Sequence, residues 1–168
     1  MSSKIKDYGG TEVTTEELKS GKYLVTEYDT VLKYSWTSGV AIGRFLQGLK
    51  EGELWARKCN NCGRTLIPPR MYCEECFRPT DQWVKVKDTG TVNTFSISYV
   101  NNDASRRKNP IVVSVVDIDG ASPQMGILHL LGEVEPKKVF IGMKVKAVWL
   151  PKAQRKGAIT DIRYFRPA

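Results

Sequence analysis

Four cysteines carry the clearest chemistry in this 168-residue chain. They stand as Cys59-Asn-Asn-Cys62 and Cys73-Glu-Glu-Cys76, two CxxC pairs separated by ten residues. Two residues between thiolates let a pair grip one ion from a tight knuckle, and two such pairs complete a tetrahedral four-sulfur site. That is the donor set of structural zinc, with a rubredoxin-like iron site left open by the same spacing. Gly63 follows the first pair, where a backbone without Cβ can turn and aim N–H groups at sulfur. Structural disulfides fit less well. Met1–Asp29 is polar and charged with no secretory apolar stretch, and a reducing cytosol keeps such thiols free. A redox dithiol would need only one CxxC, in a βαβ context that neither pair has. Four thiolates leave no open coordination position, so the metal is expected to hold a fold rather than to catalyse.

With every cysteine committed, no thiol remains as a nucleophile. The chain has no Ser–His–Asp order, no paired carboxylates in a recognisable pocket, no P-loop and no dinucleotide fingerprint. The single histidine, His129, lies in the apolar run Ile127–Leu131 and reads as a strand residue with a satisfied ring. The expectation is a chain that does not catalyse alone. Hydrophobic and charged contents of 41% and 26% are globular values. Apolar runs such as Ile111–Val116 are too short to span a bilayer, and a soluble cytoplasmic protein is expected. The net charge is +8, and residues 89–168 hold twelve Lys/Arg against six Asp/Glu. A basic excess of this kind favours an anionic partner.

Three segments must position these groups. Residues 1–33 read as an N-terminal extension with a short strand at Lys22–Thr26. In residues 34–88 a helix comes first: Ile42, Phe45, Leu46 and Leu49 fall at i, i+3, i+4 and i+7 on one face. Ser35 or Ser38 would cap its start and Gly52 its end. Gly39, Gly43 and Gly48 weaken it and allow close approach of another backbone or a ligand. The metal ribbon follows over Leu54–Val86, with Trp83 packed beside it. Residues 89–168 then turn to strands at Thr91–Val100, Ile111–Ile118, Gln124–Leu131, Met143–Leu150 and Ile159–Phe165, with one short helical turn within Glu133–Ile141. Phe95, Ile97 and Tyr99 alternate on one face of the first. Five strands with that excursion predict a mainly β chain: a helix, a rubredoxin-like zinc ribbon and a five-stranded OB-fold barrel.

Two connections of the barrel are basic. The first runs Asn101–Pro110 with Arg106, Arg107 and Lys108, and the second runs Pro151–Gly157 with Lys152, Arg155 and Lys156. In OB-folds these two loops border the ligand face, and such cations suit phosphate groups. Arg70 and Arg57 are further candidates from the ribbon side. A single-stranded nucleic-acid module is the alternative reading, with Phe95 or Tyr99 as base-stacking residues.

The order of motifs is distinctive. Phe45-Leu46-x-Gly48-Leu49-x-Glu51-Gly52 is followed by Cys59-x-x-Cys62-Gly63, then by Pro68-Pro69-Arg70-x-x-Cys73-x-x-Cys76. The barrel opens on Gly90-Thr91-Val92, has Ile141-Gly142-Met143-x-Val145 before its fourth strand and ends in Tyr164-Phe165-Arg166-Pro167. From about Tyr34 to Ala168 the chain resembles the rubredoxin-like zinc ribbon plus acyl-CoA-associated OB-fold family, catalogued as a domain of unknown function. The resemblance implies a non-catalytic accessory subunit for thiolase-superfamily enzymes such as acetoacetyl-CoA thiolase, hydroxymethylglutaryl-CoA synthase or thiolase-like aldolases. It implies that the ribbon and its preceding helix hold the partner and that the OB-fold contributes to binding CoA or acyl-CoA. The phosphates of CoA would then meet Arg106, Arg107, Lys108, Lys152, Arg155 and Lys156. Two departures stand out. Residues 1–33 lie largely outside the pattern, and the second knuckle ends Cys76-Phe77 without the usual glycine, which is read as favouring zinc over iron.

Overall fold

A computed structural model describes residues 12–26 and 31–168, which fall into two units divided after Trp36. Among the described residues the first unit holds one short helix, α1 (Thr15–Lys19), closed by a capping box between Thr14 and Glu17. The expected strand at Lys22–Thr26 does not form, and no strand among the described residues pairs with it. Thr14-x-x-Glu17 is itself a helix-start signature, so α1 was readable where only an extension was expected. Residues 31–36 follow without regular structure and leave Leu32, Tyr34 and Trp36 exposed.

The second unit begins with α2 (Gly39–Glu51), whose N-cap Ser38 makes no side-chain bond. Gly52 ends it with φ 82°, and the Gly52 and Glu53 N–H groups return to the Leu49 and Gly48 carbonyls. That left-handed C-cap is the role expected of Gly52. The buried stripe is Ala41, Phe45, Gly48 and Leu49, while Ile42 faces outward. The expected face was therefore rotated: with Gly48 on the inside, Ile42 is displaced to solvent. Gly48 does permit a close approach, but to the next strand of its own unit. A Cβ there would lie 2.9 Å from the Glu53 carbonyl oxygen and press on the Trp55 ring.

The ribbon consists of β1 (Leu54–Lys58), β2 (Thr65–Leu66), β3 (Tyr72–Cys73), β4 (Arg78–Pro79) and β5 (Gln82–Val86). β1 is central between β2 and β5, and β3 pairs only with β4. Its interior residues Leu54, Ala56, Leu66 and Ile67 join the same apolar core as the barrel. Such a small sheet has little core of its own, which is why it leans on both a metal and the adjoining domain.

Five strands close the barrel in the order β10-β8-β7-β6-β9: β6 (Thr89–Val100), β7 (Arg106–Ile118), β8 (Gly126–Leu131), β9 (Lys144–Trp149) and β10 (Ile162–Pro167). One turn of 3-10 helix, Pro136–Lys138, supplies the excursion between β8 and β9. The last expected strand starts later because Ile159–Asp161 forms another such turn. Alternation held well in β9, where Val145 and Ala147 are buried with Met143 just before them. In β6 it is broken. Val92 and Phe95 both turn toward the core because the register shifts between Val92 and Thr94, as a bulge does by adding one residue. A second shift between Ser98 and Val100 leaves Tyr99 exposed.

No helix among the described residues is long and apolar enough to cross a membrane.

Candidate metal centre and basic surfaces

Cys59 closes β1, Cys62 lies on the turn after it, Cys73 is the last residue of β3 and Cys76 stands on the turn to β4. The four Sγ atoms lie within 4.8 Å of one another, and Cys62 and Cys73 Sγ are 3.6 Å apart. Four sulfurs at about 2.3 Å from one ion lie roughly 3.8 Å from each other in a tetrahedron, so the cluster fits one metal. All four are free thiols rather than disulfides.

Each knuckle is built by backbone bonds of the same kind. Gly63 N–H donates to the Cys59 carbonyl at 2.8 Å, and Phe77 N–H donates to the Cys73 carbonyl at 2.9 Å. The Asn61 amide donates to Cys76 Sγ at 3.2 Å, tying one knuckle to the other. Without an ion the thiols divide: the Cys62 N–H helps hold Cys59 down to about 7. The Arg64 N–H acts to lower Cys62 as well, but burial and the three neighbouring sulfurs outweigh it and push Cys62 up to about 12. Crowded sulfurs cannot all ionise alone, which is what a cation between them resolves.

Phe77 has φ 50° and is 88% exposed. It takes the conformation that Gly63 takes in the first knuckle, with φ 77°. The absent glycine therefore leaves the knuckle's shape intact and does not discriminate between zinc and iron. Met71 and Tyr72 are exposed on the same two-stranded tip.

The basic residues of the two connections line different cavities. Arg106, Arg107 and Lys108 were expected on a loop, yet they open β7, because past Ser98 and Ile111 the ladder shifts register and closes on one more pair, Val100 with Arg106. Only Asn101–Ser105 turn the chain. A polar concavity of about 370 Å³ is lined by Asn101, Arg106, Arg107, Lys108 and Asn109. Within it Arg107 Nη1 donates to Asn101 Oδ1 at 2.6 Å.

On the other connection Lys152 sits on a 3-10 turn and Lys156 is exposed. Arg155 points elsewhere. Its Nε donates to the Leu150 carbonyl at 2.7 Å, its guanidinium lies 5.4 Å from the Trp149 ring centre, and it abuts Gly52 at the end of α2. A cation at a helix C-terminus is electrostatically favourable there, so Arg155 has a structural role at that position. The connection is shaped by Asp161, 1% exposed, whose carboxylate accepts N–H bonds from Lys156, Gly157 and Ala158 at 2.9, 2.7 and 3.1 Å. Nothing in the local sequence marked that cage except an acid shortly after a glycine.

The ribbon-side candidates also separate. Arg57 is buried, bonded to Thr80 through Nε at 2.9 Å and stacked 4.8 Å from the Trp83 ring centre. It holds β1 against the chain before β5 and is not free for a ligand; the partner Thr80 is too far along the sequence to be foreseen. Arg70 pairs with Glu74 at 3.4 Å. For the nucleic-acid alternative, Phe95 packs on the core and only Tyr99 is exposed. His129 is half satisfied: Nε2 lies 3.2 Å from the Ile159 carbonyl, which can only accept from it, while Nδ1 has no partner among the described residues.

Comparison with known proteins bears on both halves. Residues 46–81 match the ChsH2 rubredoxin-like zinc ribbon domain, which takes in all four cysteines, and residues 83–150 match the ChsH2 C-terminal OB-fold domain. A DUF35 domain-containing scaffold protein of Methanocaldococcus jannaschii is 28% identical over 113 residues, covering 66% of this chain and 78% of the relative. A protein of the same description from Methanothermobacter thermautotrophicus is 28% identical over 118 residues, covering 68% and 86%. A solved DUF35-family structure from Sulfolobus solfataricus, of unknown function, superposes with TM-score 0.53 at 28% identity over 62% of this chain and 75% of its own. A solved Ltp2–ChsH2(DUF35) aldolase gives TM-score 0.56 at 21% identity over 80% and 98%, a likeness of fold.

Proposed function

Because the chain belongs to the DUF35 family, with its zinc ribbon and OB-fold in that order, we propose that it is a non-catalytic scaffold subunit that holds a thiolase-type or hydroxymethylglutaryl-CoA synthase-type enzyme and binds CoA or acyl-CoA beside it. The observation that carries this reading is the ribbon tip. Phe77 is kept almost fully exposed in a conformation that suits glycine, and strain of this kind concentrates at functional contacts. Tyr72 and Met71 beside it, with Val40 and Ile42 on the open face of α2, offer the aromatic and aliphatic anchors on which interfaces depend. The relatives described as scaffold proteins and the likeness to a subunit of an aldolase complex support it.

Zinc is the metal we assign, held by Cys59, Cys62, Cys73 and Cys76. When bound it supplies fold stability and no open position for substrate. For CoA the best-formed anion site is the concavity of Arg106, Arg107 and Lys108, where Asn101 orients one guanidinium. Lys152 and Lys156 are secondary candidates, and Arg155, whose Nε is already bonded to the Leu150 carbonyl, ranks behind them. Cationic groups that are already oriented bind phosphates with less ordering cost.

The test is a calorimetric titration of metal-replete protein with acetyl-CoA and with a single-stranded oligonucleotide at physiological salt, where weak electrostatic binding is suppressed. Saturable acetyl-CoA binding that weakens tenfold or more in R106Q/R107Q/K108Q is expected. Oligonucleotide binding without acetyl-CoA binding would replace this reading with the nucleic-acid one. The scaffold half is tested by mixing with a purified thiolase and measuring co-elution, which F77S should abolish while leaving the metal content unchanged.

A further inference from the structure

The barrel has one incomplete seam. β8 and β10 meet in register only at Leu131 and Phe165, with Gly132 N–H donating to the Phe165 carbonyl at 2.8 Å. Toward the start of both strands the sheet ladder is absent, and His129 spans the gap to Ile159 by a side-chain bond instead. A groove of about 420 Å³ lies along this opening, lined by Val113, Leu128, Leu130, Ile159, Ile162 and Arg163, with His129 and Thr160 completing it. No carboxylate among the described residues lines it.

Leu128 is 66% exposed, and Leu130 and Ile159 are exposed beside it. Contiguous apolar side chains left in water on a folded domain mark a binding surface, and a concave apolar site of this size suits a small molecule. Arg163 is the cation that lines it, 5.6 Å from the Tyr164 ring centre. Arg163 stands at the rim and is exposed; the nearby Glu133 is already engaged by Tyr164 and Arg166. Thr160 is shared with a second cavity of about 400 Å³ that Lys156 lines, where the one acid, Asp161, is saturated by backbone N–H groups.

We propose that this seam is a binding site for an amphipathic anion, a medium-chain carboxylate whose hydrocarbon body lies on Leu128, Leu130 and Ile159 and whose charged end meets Arg163. The site shares none of its residues with the Arg106–Lys108 concavity and needs no coenzyme A. Hydrocarbon is held by apolar area, so affinity rises with chain length until the groove is filled, whereas the head group is chosen by sign of charge.

The experiment uses the metal-replete full chain with labelled methyl groups, titrated by hexanoate, octanoate and decanoate. Saturable shifts at Leu128, Leu130 and Ile159 are expected, with the dissociation constant tightening roughly two- to fourfold per added methylene, the upper figure being full burial. Decanol should bind more weakly than decanoate, and decyltrimethylammonium more weakly still. L128D, a change at an exposed position, should abolish the shifts while the rest of the spectrum stays native, and R163Q should weaken decanoate but not decanol. Shifts that do not saturate, that map elsewhere, that ignore chain length or that survive L128D would overturn the proposal. Failure here leaves the acetyl-CoA titration untouched, and failure there leaves this one standing.

Discussion

Gly63 and Phe77 hold the same left-handed backbone conformation at equivalent places in the two metal knuckles, with φ 77° and φ 50°. A glycine meets that demand freely, whereas a residue with Cβ is strained there by about 1–2 kcal/mol. Phe77 has little packing to lose. F77G should therefore keep the metal and unfold at the same or a higher temperature, a gain of up to about 1 kcal/mol after the entropy that glycine adds to the unfolded chain. Thermal unfolding with metal analysis checks this, and a clear loss of stability would mean that the phenyl ring is held by contacts within the chain.

Gly90 is a sharper case. β6 is shared there between β7 and β9, pairing with Ile118 on one side and Val145 on the other. A Cβ would collide with the Asp117 carbonyl oxygen and come within 2.7 Å of Val116 Cγ1. Backbone cannot yield as a flexible side chain does, so G90A should cost about 1–3 kcal/mol. Urea denaturation measures it, and a neutral substitution would show that the barrel corner can open.

How much of this was readable beforehand depends on where each residue's partner lies in the chain. The cysteine cluster, β9 and the C-cap at Gly52 were legible because their determinants are local: spacing, alternation and a single glycine. The outer part of β7 was not. Arg106-Arg107-Lys108-Asn109-Pro110 is poor strand sequence, and the two pairs that bracket it, Ser98 with Ile111 and Val100 with Arg106, are dictated from across the hairpin. The same holds for Arg57 and Arg155, whose charge was visible but whose partners Thr80 and Gly52 are distant in sequence. In β6 the alternation misled because bulges reset its phase, and no residue type announces a bulge reliably.

Acid should act through Asp161. Burial alone would raise its pKa, but N–H donors from Lys156, Ala158 and Gly157, with the charge of Arg155, hold it below the usual carboxylate value. A depressed folded pKa gives stability that is complete above the unfolded value of about 3.9 and is lost as pH falls through the folded one. D161N should accordingly be less stable than the parent at pH 7, and the gap should narrow below about pH 4. Urea midpoints across pH 7 to about 2.5 test the sign. A gap that stays constant in acid would remove the charged form from the explanation.

Removing the metal should melt the ribbon before the barrel. Thr65 and Ser122 exchange bonds across the two domains, 2.9 Å to Ser122 Oγ and 3.0 Å to the Thr65 carbonyl, but the ribbon's interior is small. Chelation should expose Trp55 and Trp83 to solvent and free four titratable thiols, while most β-sheet circular dichroism persists. Simultaneous loss of both signals would mean that ribbon and barrel unfold as one cooperative unit.

The contact of Arg155 with the end of α2 also carries a thermodynamic obligation. Gly157 lies against α2 as well, where a Cβ would sit 3.2 Å from the Leu46 carbonyl oxygen. The strap that bears Lys152 and Lys156 is thus fastened to the helix whose open face carries Val40 and Ile42. If an anion on that strap changes how firmly α2 is held, then occupancy of α2 by another protein must change the affinity for the anion by the same factor. On the proposed reading the molecule would be a balance whose two pans are an enzyme surface and a negatively charged ligand, with Arg155 near the beam.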